Sequence, residues 1–175
     1  FSKNKKMPLN KFINEKATNN ICLYASGINP DEAIKNIEKG RKLGIESFKI
    51  KIGFDNSLDL NLIKKITQTI KSNEKLMFDV NQGWNLRNAK KYLKKLERFP
   101  IYWIEEPLSA LTNDLDYFDL INSSNISIAL GENISNEDKF VHFLRNKNIK
   151  FMQPDLTKYG GLSFLIKNFN LKLQN

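Results

Sequence analysis

The chain has 175 residues, of which 41% are hydrophobic and 11% aromatic, so it is long enough for one domain with a sizeable core. No apolar run approaches the roughly 20 residues of a membrane helix, and the single cysteine, Cys22, excludes a disulfide framework or a cysteine-rich zinc site. The formal net charge of +9 comes from 28 Lys and Arg residues scattered along the chain rather than clustered with aromatic residues, which argues against nucleic-acid binding.

The first 20 residues differ in composition from the rest of the chain. They are polar and rich in Lys and Asn, and no apolar segment of the kind found in secretory signals follows the basic residues 1–6. We interpret residues 1–20 as a lead-in segment and residues 21–175 as the folded domain of a soluble, cytoplasmic protein with no membrane partner. Because the first residue is Phe1 rather than Met, we expect a processed chain or a piece of a longer one. Cys22 is expected to fill the core.

A short β-branched or aromatic run followed by a polar segment with helical periodicity occurs six times along the chain. The first of the resulting helices has clear boundary signals, since Asn29 can cap it, Pro30 suits its first turn and Gly44 suits its end. We predict strands at residues 21–24, 48–52, 76–80, 101–104, 126–130 and 149–152, and helices at residues 30–43, 58–70, 86–96, 115–122, 136–144 and 162–173.

This regular alternation implies a parallel sheet. A doubly wound sheet fits the alternation, but the absence of a Gly-rich phosphate loop after the first strand and the acids at several strand ends favour a (β/α)8 barrel. Such a barrel takes about 250 residues, so we expect an incomplete α/β barrel with six of its eight units. The predicted strand ends recur at nearly even intervals, at Ser26, Ile52, Asp79, Glu105, Glu132 and Asp155.

Three of these strand ends carry acids, namely Asp79, Glu105 and Glu132. A desolvated carboxylate is costly unless it is paired or binds a metal, and three carboxylates at the same level of adjacent parallel strands would provide the hard oxygen ligands that Mg²⁺ prefers. Taken singly, each acid is expected to be a solvated loop residue, but the even spacing argues against that for the set. A metal-free pair for glycoside hydrolysis is an alternative, although it leaves the third acid without a role.

Lys49 and Lys51 lie on the same side of the second predicted strand, because side chains alternate with period two. Two lysines that face a barrel interior would repel each other and be partly desolvated, which lowers the ammonium pKa toward the range of a general base. The alternative is an edge strand with both lysines in water and with Ile50 and Ile52 on the buried face.

Five motifs occur in order and together resemble the barrel domain of the enolase superfamily, closest to its mandelate racemase branch, which includes many acid-sugar dehydratases. The resemblance covers about residues 9–165. The motifs are FKIKIG at 48–53, DVNQGW at 79–84, WIEEP at 103–107, GEN at 131–133 and QPDLTKYGG at 153–161.

The resemblance implies that Asp79, Glu105 and Glu132 bind Mg²⁺ and that Glu106 supports them from outside the metal. It also implies that Lys51 abstracts the proton α to a substrate carboxylate while Lys49 tunes it electrostatically. Since such a proton is very weakly acidic, the resulting ene-diolate needs the metal and nearby cations. Asn81 is expected to contact the substrate or one of the residues that bind the metal.

The resemblance implies that Asp155 assigns the chain to the racemase and dehydratase branch, in which an aspartate at this position orients a histidine on the seventh strand. In the muconate-lactonizing and dipeptide-epimerase branch the corresponding residue is a lysine. His142, the only histidine, lies in the fifth predicted helix and is not expected to be that partner. Lys158 lies three residues after Asp155, and we do not interpret it as the base. We expect the partner histidine, the eighth strand with its acid and an N-terminal capping domain to lie outside these 175 residues.

We therefore interpret the chain as a fragment of a Mg²⁺-dependent acid-sugar dehydratase, a lyase that acts on a small carboxylate. Its base would be Lys51 or the missing histidine, and the pair of Asp155 and that histidine would be the acid for the departing hydroxyl. The whole protein is expected to be a homo-oligomer, as is common in the family. The first alternative is a racemase or epimerase that uses the same bases. The second is a truncated, inactive protein, since an open barrel exposes sheet edges.

Overall fold

A computed structural model of the chain describes residues 2–54, 58, 60–159 and 161–173. Strands and helices alternate along nearly the whole of this part, and short 3-10 turns at Pro30–Glu32 and Leu156–Tyr159 introduce two of the helices. The strands are β1 (Ala25–Ile28), β2 (Ser47–Lys51), β3 (Lys75–Asp79), β4 (Ile101–Glu105), β5 (Ile128–Leu130) and β6 (Phe151–Met152). The helices are α1 (Leu9–Ile13), α2 (Ala33–Lys42), α3 (Leu60–Thr69), α4 (Leu86–Leu96), α5 (Asp114–Asn122), α6 (Glu137–Arg145) and α7 (Leu162–Leu173).

The six strands form one parallel sheet in the order β1-β2-β3-β4-β5-β6. A doubly wound sheet reverses its strand order part-way, whereas a barrel keeps neighbours in chain order. The chain is thus an incomplete (β/α)8 barrel, and the predicted fold class is confirmed. None of the helices in the described ranges has the length and apolar character needed to cross a membrane.

The two faces of the sheet pack differently. The main core lies between sheet and helices and includes Phe48 and Ile50 of β2, both fully buried. A smaller cluster of Met77, Trp103 and Ala129 lies on the opposite face, which is the barrel interior. Side chains alternate between the two faces along each strand, so every second residue points to this interior face. Polar residues at these positions near the carboxyl ends of the strands therefore lie on the same face.

Helix α2 approaches β2 closely because it has a glycine at the contact. A Cβ atom on Gly40 would lie 2.7 Å from Cε1 of Phe48, well inside van der Waals contact. The helix ends at Lys42, and Gly44, which was predicted to stop it, follows two residues later with a φ of 76°. Asn29 precedes the first turn as expected, but its side chain makes no capping hydrogen bond.

The predicted first strand was wrong. Residues 21–24 are largely exposed, with Ile21 at 82% and Leu23 at 68%, and Cys22 is exposed rather than in the core. The strand instead is Ala25–Ile28, so Ser26 lies within it and not at its end. Ser and Gly are weak strand formers, and it is the pairing of Ala25 with Phe48 of β2 that makes this segment a strand.

Candidate active site

The carboxyl ends of β2, β3 and β4 place charged residues side by side. In the parallel register Lys51 pairs with Asp79, and Asp79 pairs with Glu105. Lys49 lies two residues before Lys51 and pairs with Met77, a member of the interior cluster. Its side chain therefore lies on the interior face, together with those of Lys51, Asp79 and Glu105. Because β2 lies between β1 and β3, the alternative of an edge strand with both lysines in water is wrong.

Lys49 is a buried cation, with 7% of its surface exposed. Its Nζ donates a hydrogen bond to Oε1 of Glu105 and lies 3.9 Å from Oδ2 of Asp79. Burial disfavours the ammonium, but the hydrogen bond and charge of Glu105 outweigh burial, so the pKa of Lys49 is raised. The predicted lowering of its pKa was therefore wrong, since the carboxylates around Lys49 act more strongly than any repulsion from Lys51.

Asp79 and Glu105 are adjacent carboxylates with little access to solvent, 8% and 1% exposed. Burial and then the negative charge of Glu105 raise the pKa of Asp79, although the backbone N–H of Asn81 donates to its Oδ1 at 3.0 Å. Two desolvated carboxylates thus share one buried ammonium, that of Lys49, and the half-buried Lys51 is the second cation that acts on Asp79.

Gln153 is a contact that the sequence did not single out. Its Nε2 donates to Oε2 of Glu105 at 2.8 Å, while its Oε1 is buried without a hydrogen-bond partner in the described part of the chain. A buried amide oxygen without a donor is rare and costly. Gln153 follows β6 on the interior face, so the period-two alternation with Phe151 was the signal for it.

Glu132 does not lie level with the other two acids. The residue of β5 that pairs with Glu105 is Ala129, and Glu132 follows three residues later, exposed, beyond the end of the strand. Between them Gly131 has a φ of 128° and lies against the backbone of Gln153. The expectation of one common level was correct for Asp79 and Glu105 and wrong for Glu132. In the described residues no three acidic, His or Cys side chains are close enough together to bind one metal ion.

Asn81 begins the turn after β3 and is exposed. It lines a cleft of about 360 Å³ together with Lys51, Gly53 and Phe54. Its φ of 49° lies in the left-handed region, which is uncommon for a residue with a side chain. Gln82 and Glu106 share this feature, with φ of 62° and 39°. Three such residues at the carboxyl ends of two strands place backbone strain at the candidate site.

Asp155 and His142 lie apart, as expected. Oδ1 of Asp155 accepts hydrogen bonds from the backbone and hydroxyl of Thr157, and these bonds lower its pKa. His142 lies in α6, where its Nδ1 is 2.7 Å from Oδ2 of Asp114. The predicted pairing of Asp155 with a histidine of a seventh strand stays a prediction.

Residues 32–171, most of the chain, match the family described as enolase C-terminal domain-like. The chain belongs to this family. The match spans every strand from β2 to β6, and with it Lys49, Lys51 and the acids at the strand ends. The resemblance drawn from the five motifs is thus confirmed.

Relatives within this superfamily include enzymes of two chemistries. The chain is 29% identical over 171 residues to L-talarate/galactarate dehydratase of Salmonella typhimurium, covering 94% of this chain and 42% of the relative. It is 27% identical to the L-Ala-D/L-Glu epimerase of Francisella tularensis subsp. novicida, over 75% of this chain and 37% of the relative. The structure of the Salmonella dehydratase liganded with Mg and L-lyxarohydroxamate matches with a TM-score of 0.86 and 27% identity, over 99% of this chain and 45% of that one. The chain spans less than half the length of these relatives.

The residues of this enolase-family chain fit a divalent cation. The donor set consists of carboxylate oxygens, the ligands that Mg²⁺ prefers, and Asp79 and Glu105 are two such groups that lie side by side in the barrel interior. Oε1 of Gln153, whose Nε2 donates to Glu105, is a further buried oxygen acceptor without a donor in the described residues. Asp79 and Glu105 are the two predicted metal ligands that the structure brings side by side.

Proposed function

We propose that the protein containing this chain removes the proton α to the carboxylate of an acid sugar and releases water, as a Mg²⁺-dependent dehydratase. The observation that carries the proposal is the row of Lys51, Asp79 and Glu105 in register across three adjacent strands. It places a basic nitrogen beside paired carboxylates at the carboxyl end of a barrel sheet, which is where barrel enzymes have their active sites.

Lys51 is the proposed base. It is half-buried and lines the cleft with Asn81, so its Nζ can reach a substrate bound there. In the proposed step the α-carbon gives its proton to Nζ of Lys51, the bond from the β-carbon to its hydroxyl breaks, and that hydroxyl leaves as water after protonation. The remaining enol tautomerises to a 2-keto acid. Lys49, fixed between Glu105 and Asp79, keeps a positive charge on the floor of the site throughout.

Asp79, Glu105 and Glu132 would hold Mg²⁺, and when bound the ion would supply positive charge that stabilises the substrate carboxylate as it gains negative charge. The similarity to a dehydratase whose structure contains Mg and a sugar-acid-like hydroxamate supports this proposal. Asp155, whose pKa is lowered by the hydrogen bonds from Thr157, is available to orient a histidine that acts as acid for the departing hydroxyl.

Epimerisation at the carbon next to a carboxylate is the second candidate, favoured by the similarity to the L-Ala-D/L-Glu epimerase. It uses the same proton abstraction but returns a proton to the opposite face of the carbon. Asp155 argues against a dipeptide epimerase, because the resemblance implies a lysine at this position in that branch and an aspartate in the racemase and dehydratase branch.

Product analysis on the full-length protein separates these candidates. We expect a 2-keto acid, detected by its semicarbazone absorbance, when the protein is incubated with aldonates or aldarates and Mg²⁺. Formation of an isomer of unchanged composition would instead establish epimerisation, and no turnover of any acid sugar or dipeptide would reject both. The 175-residue chain alone is proposed to be inactive, since its barrel lacks two units.

A further inference from the structure

The loop after β5 is held by side chains rather than by sheet hydrogen bonds. The last bond that the sheet makes here is from the backbone N–H of Gln153 to the carbonyl of Leu130, at 2.9 Å. Gly131 then turns the chain, and Glu132 follows in an exposed position. Nothing in the strand itself fixes where the carboxylate of Glu132 lies.

The neighbouring strand ends hold this loop from both sides. On the β4 side Glu106 accepts hydrogen bonds from the backbone N–H and the Nδ2 of Asn133, at 2.9 and 2.6 Å. On the β6 side Nζ of Lys158 donates to the backbone carbonyl of Glu132 and, at 3.1 Å, to Oδ1 of Asn133. Asn133 is thus fixed by Glu106 and Lys158 at the same time, directly next to Glu132.

Lys158 is itself well placed for this contact. Its backbone N–H donates to the carbonyl of Asp155 at 3.0 Å in a 3-10 turn. The next residue, Tyr159, is buried, stacks on Phe164 with ring centroids 4.9 Å apart, and donates from its hydroxyl to the carbonyl of Ile134 in the same loop. The main chain around Lys158 is therefore anchored against the loop that its side chain holds.

The ammonium of Lys158 also joins two parts of the proposed site. It lies 3.9 Å from Oδ2 of Asp155 while it holds the carbonyl of Glu132. One cation thus links the acid proposed to bind Mg²⁺ on the β5 side to the acid proposed to orient a histidine on the β6 side.

We propose that Lys158 is a positioning residue, which holds the backbone of Glu132 and the side chain of Asn133 and so fixes where the carboxylate of Glu132 lies relative to Asp79 and Glu105 in the proposed metal site. This inference rests on the proposed function. Lys158 acts through Glu132 and touches neither substrate nor reacting atoms. About a third of its side chain is exposed, with 31% accessible, so its loss alters the position of the loop more than the stability of the fold.

The test compares metal affinities in the full-length protein without substrate. Calorimetric titration with Mn²⁺ should show about tenfold weaker binding for Lys158→Met, the lower end of the effect of residues that orient metal ligands. Lys158→Arg, which keeps the charge and the donors, should recover most of that loss. Lys150→Met, which removes an exposed lysine just before β6, is the matched control and should bind as the wild type does.

The outcomes distinguish this inference from the proposed function. If Glu132→Gln weakens Mn²⁺ binding but Lys158→Met does not, Lys158 has no positioning role. If Asp79→Asn and Glu132→Gln both leave Mn²⁺ binding unchanged, the metal site itself is absent, and the proposed function fails together with the inference. Weakening by Lys158→Met with unchanged urea unfolding of the metal-free protein, and recovery by Lys158→Arg, is the supporting result.

Discussion

Replacement of Lys49 by methionine tests the charge arrangement of the candidate site. The variant keeps most of the side-chain length but removes the cation that contacts Glu105 and lies 3.9 Å from Asp79. Glu105 would keep the donor of Gln153, and Asp79 would keep the N–H of Asn81. Both carboxylates would lose their shared buried ammonium, and the half-buried Lys51 would be the remaining cation that acts on Asp79.

The expected cost is large when Mg²⁺ is absent. Removing one partner of a buried ion pair typically costs about 3–5 kcal/mol. The attraction between unit charges about 4 Å apart at an effective dielectric of about 20 is about 4 kcal/mol, which agrees with this range. Because the pKa of Lys49 is raised, its ammonium is charged and this stabilisation is fully present below pH 10.5, and it is lost as the pH rises through the raised pKa.

Mg²⁺ should reduce that cost. At a concentration of 100 Kd a ligand stabilises the folded wild type by about 2.7 kcal/mol. The Lys49→Met variant should gain more, because no ammonium competes with the metal for Glu105.

Urea unfolding of the full-length protein at pH 7.5, followed by tryptophan fluorescence with and without Mg²⁺, measures both effects. Lys65→Met, at an exposed position of α3, is the control. The reasoning is refuted if Lys49→Met lowers the free energy of unfolding by less than about 1 kcal/mol without Mg²⁺. It is also refuted if Mg²⁺ does not reduce the difference in free energy of unfolding between the variant and the wild type.

Two further predictions concern the scaffold. Glu74 is held by a bidentate pair with Arg41, with both contacts at 2.7 Å, and these hydrogen bonds lower its pKa. Glu74→Gln should therefore lower the free energy of unfolding by about 2 kcal/mol at pH 7. This difference from the wild type should shrink as the pH falls below 4.5 and through the lowered pKa of Glu74. A difference in urea unfolding that stayed constant down to pH 3 would contradict this. Gly40→Ala should destabilise the fold by about 1–3 kcal/mol despite the higher helix propensity of alanine, because the new methyl group meets Phe48. Lys39→Ala, on the exposed face of the same helix, is the control and should not destabilise the fold. Equal thermal midpoints for the two variants would contradict this packing.

The sequence predicted the central strands β2 to β4 and helix α4 well. Helix α4 has its predicted bounds, and β2 to β4 lie within a residue or so of theirs, because each is a short β-branched, aliphatic or aromatic run that ends in a charged residue. Asp79 and Glu105 end adjacent strands, and they pair in the structure.

The errors arose where tertiary contacts override local pattern. Residues 21–24 have the composition of a strand but stay exposed, while Ala25–Ile28 joins the sheet because Ala25 and Ile28 pair with Phe48 and Ile50 of β2. The level of Glu132 depends on the turn at Gly131 and on hydrogen bonds from Lys158, and neither can be derived from spacing along the chain.

The direct test of the proposed chemistry is proton exchange at the α-carbon. The full-length protein should be incubated in D₂O with Mg²⁺ and a panel of acid sugars and followed by proton NMR. We predict that the α-proton signal of a substrate disappears as a 2-keto acid forms, that EDTA stops this, and that Lys51→Ala slows it by about 10²–10⁴-fold, as expected for loss of a general base. Exchange that continues at the wild-type rate in Lys51→Ala, or without Mg²⁺, would contradict the account.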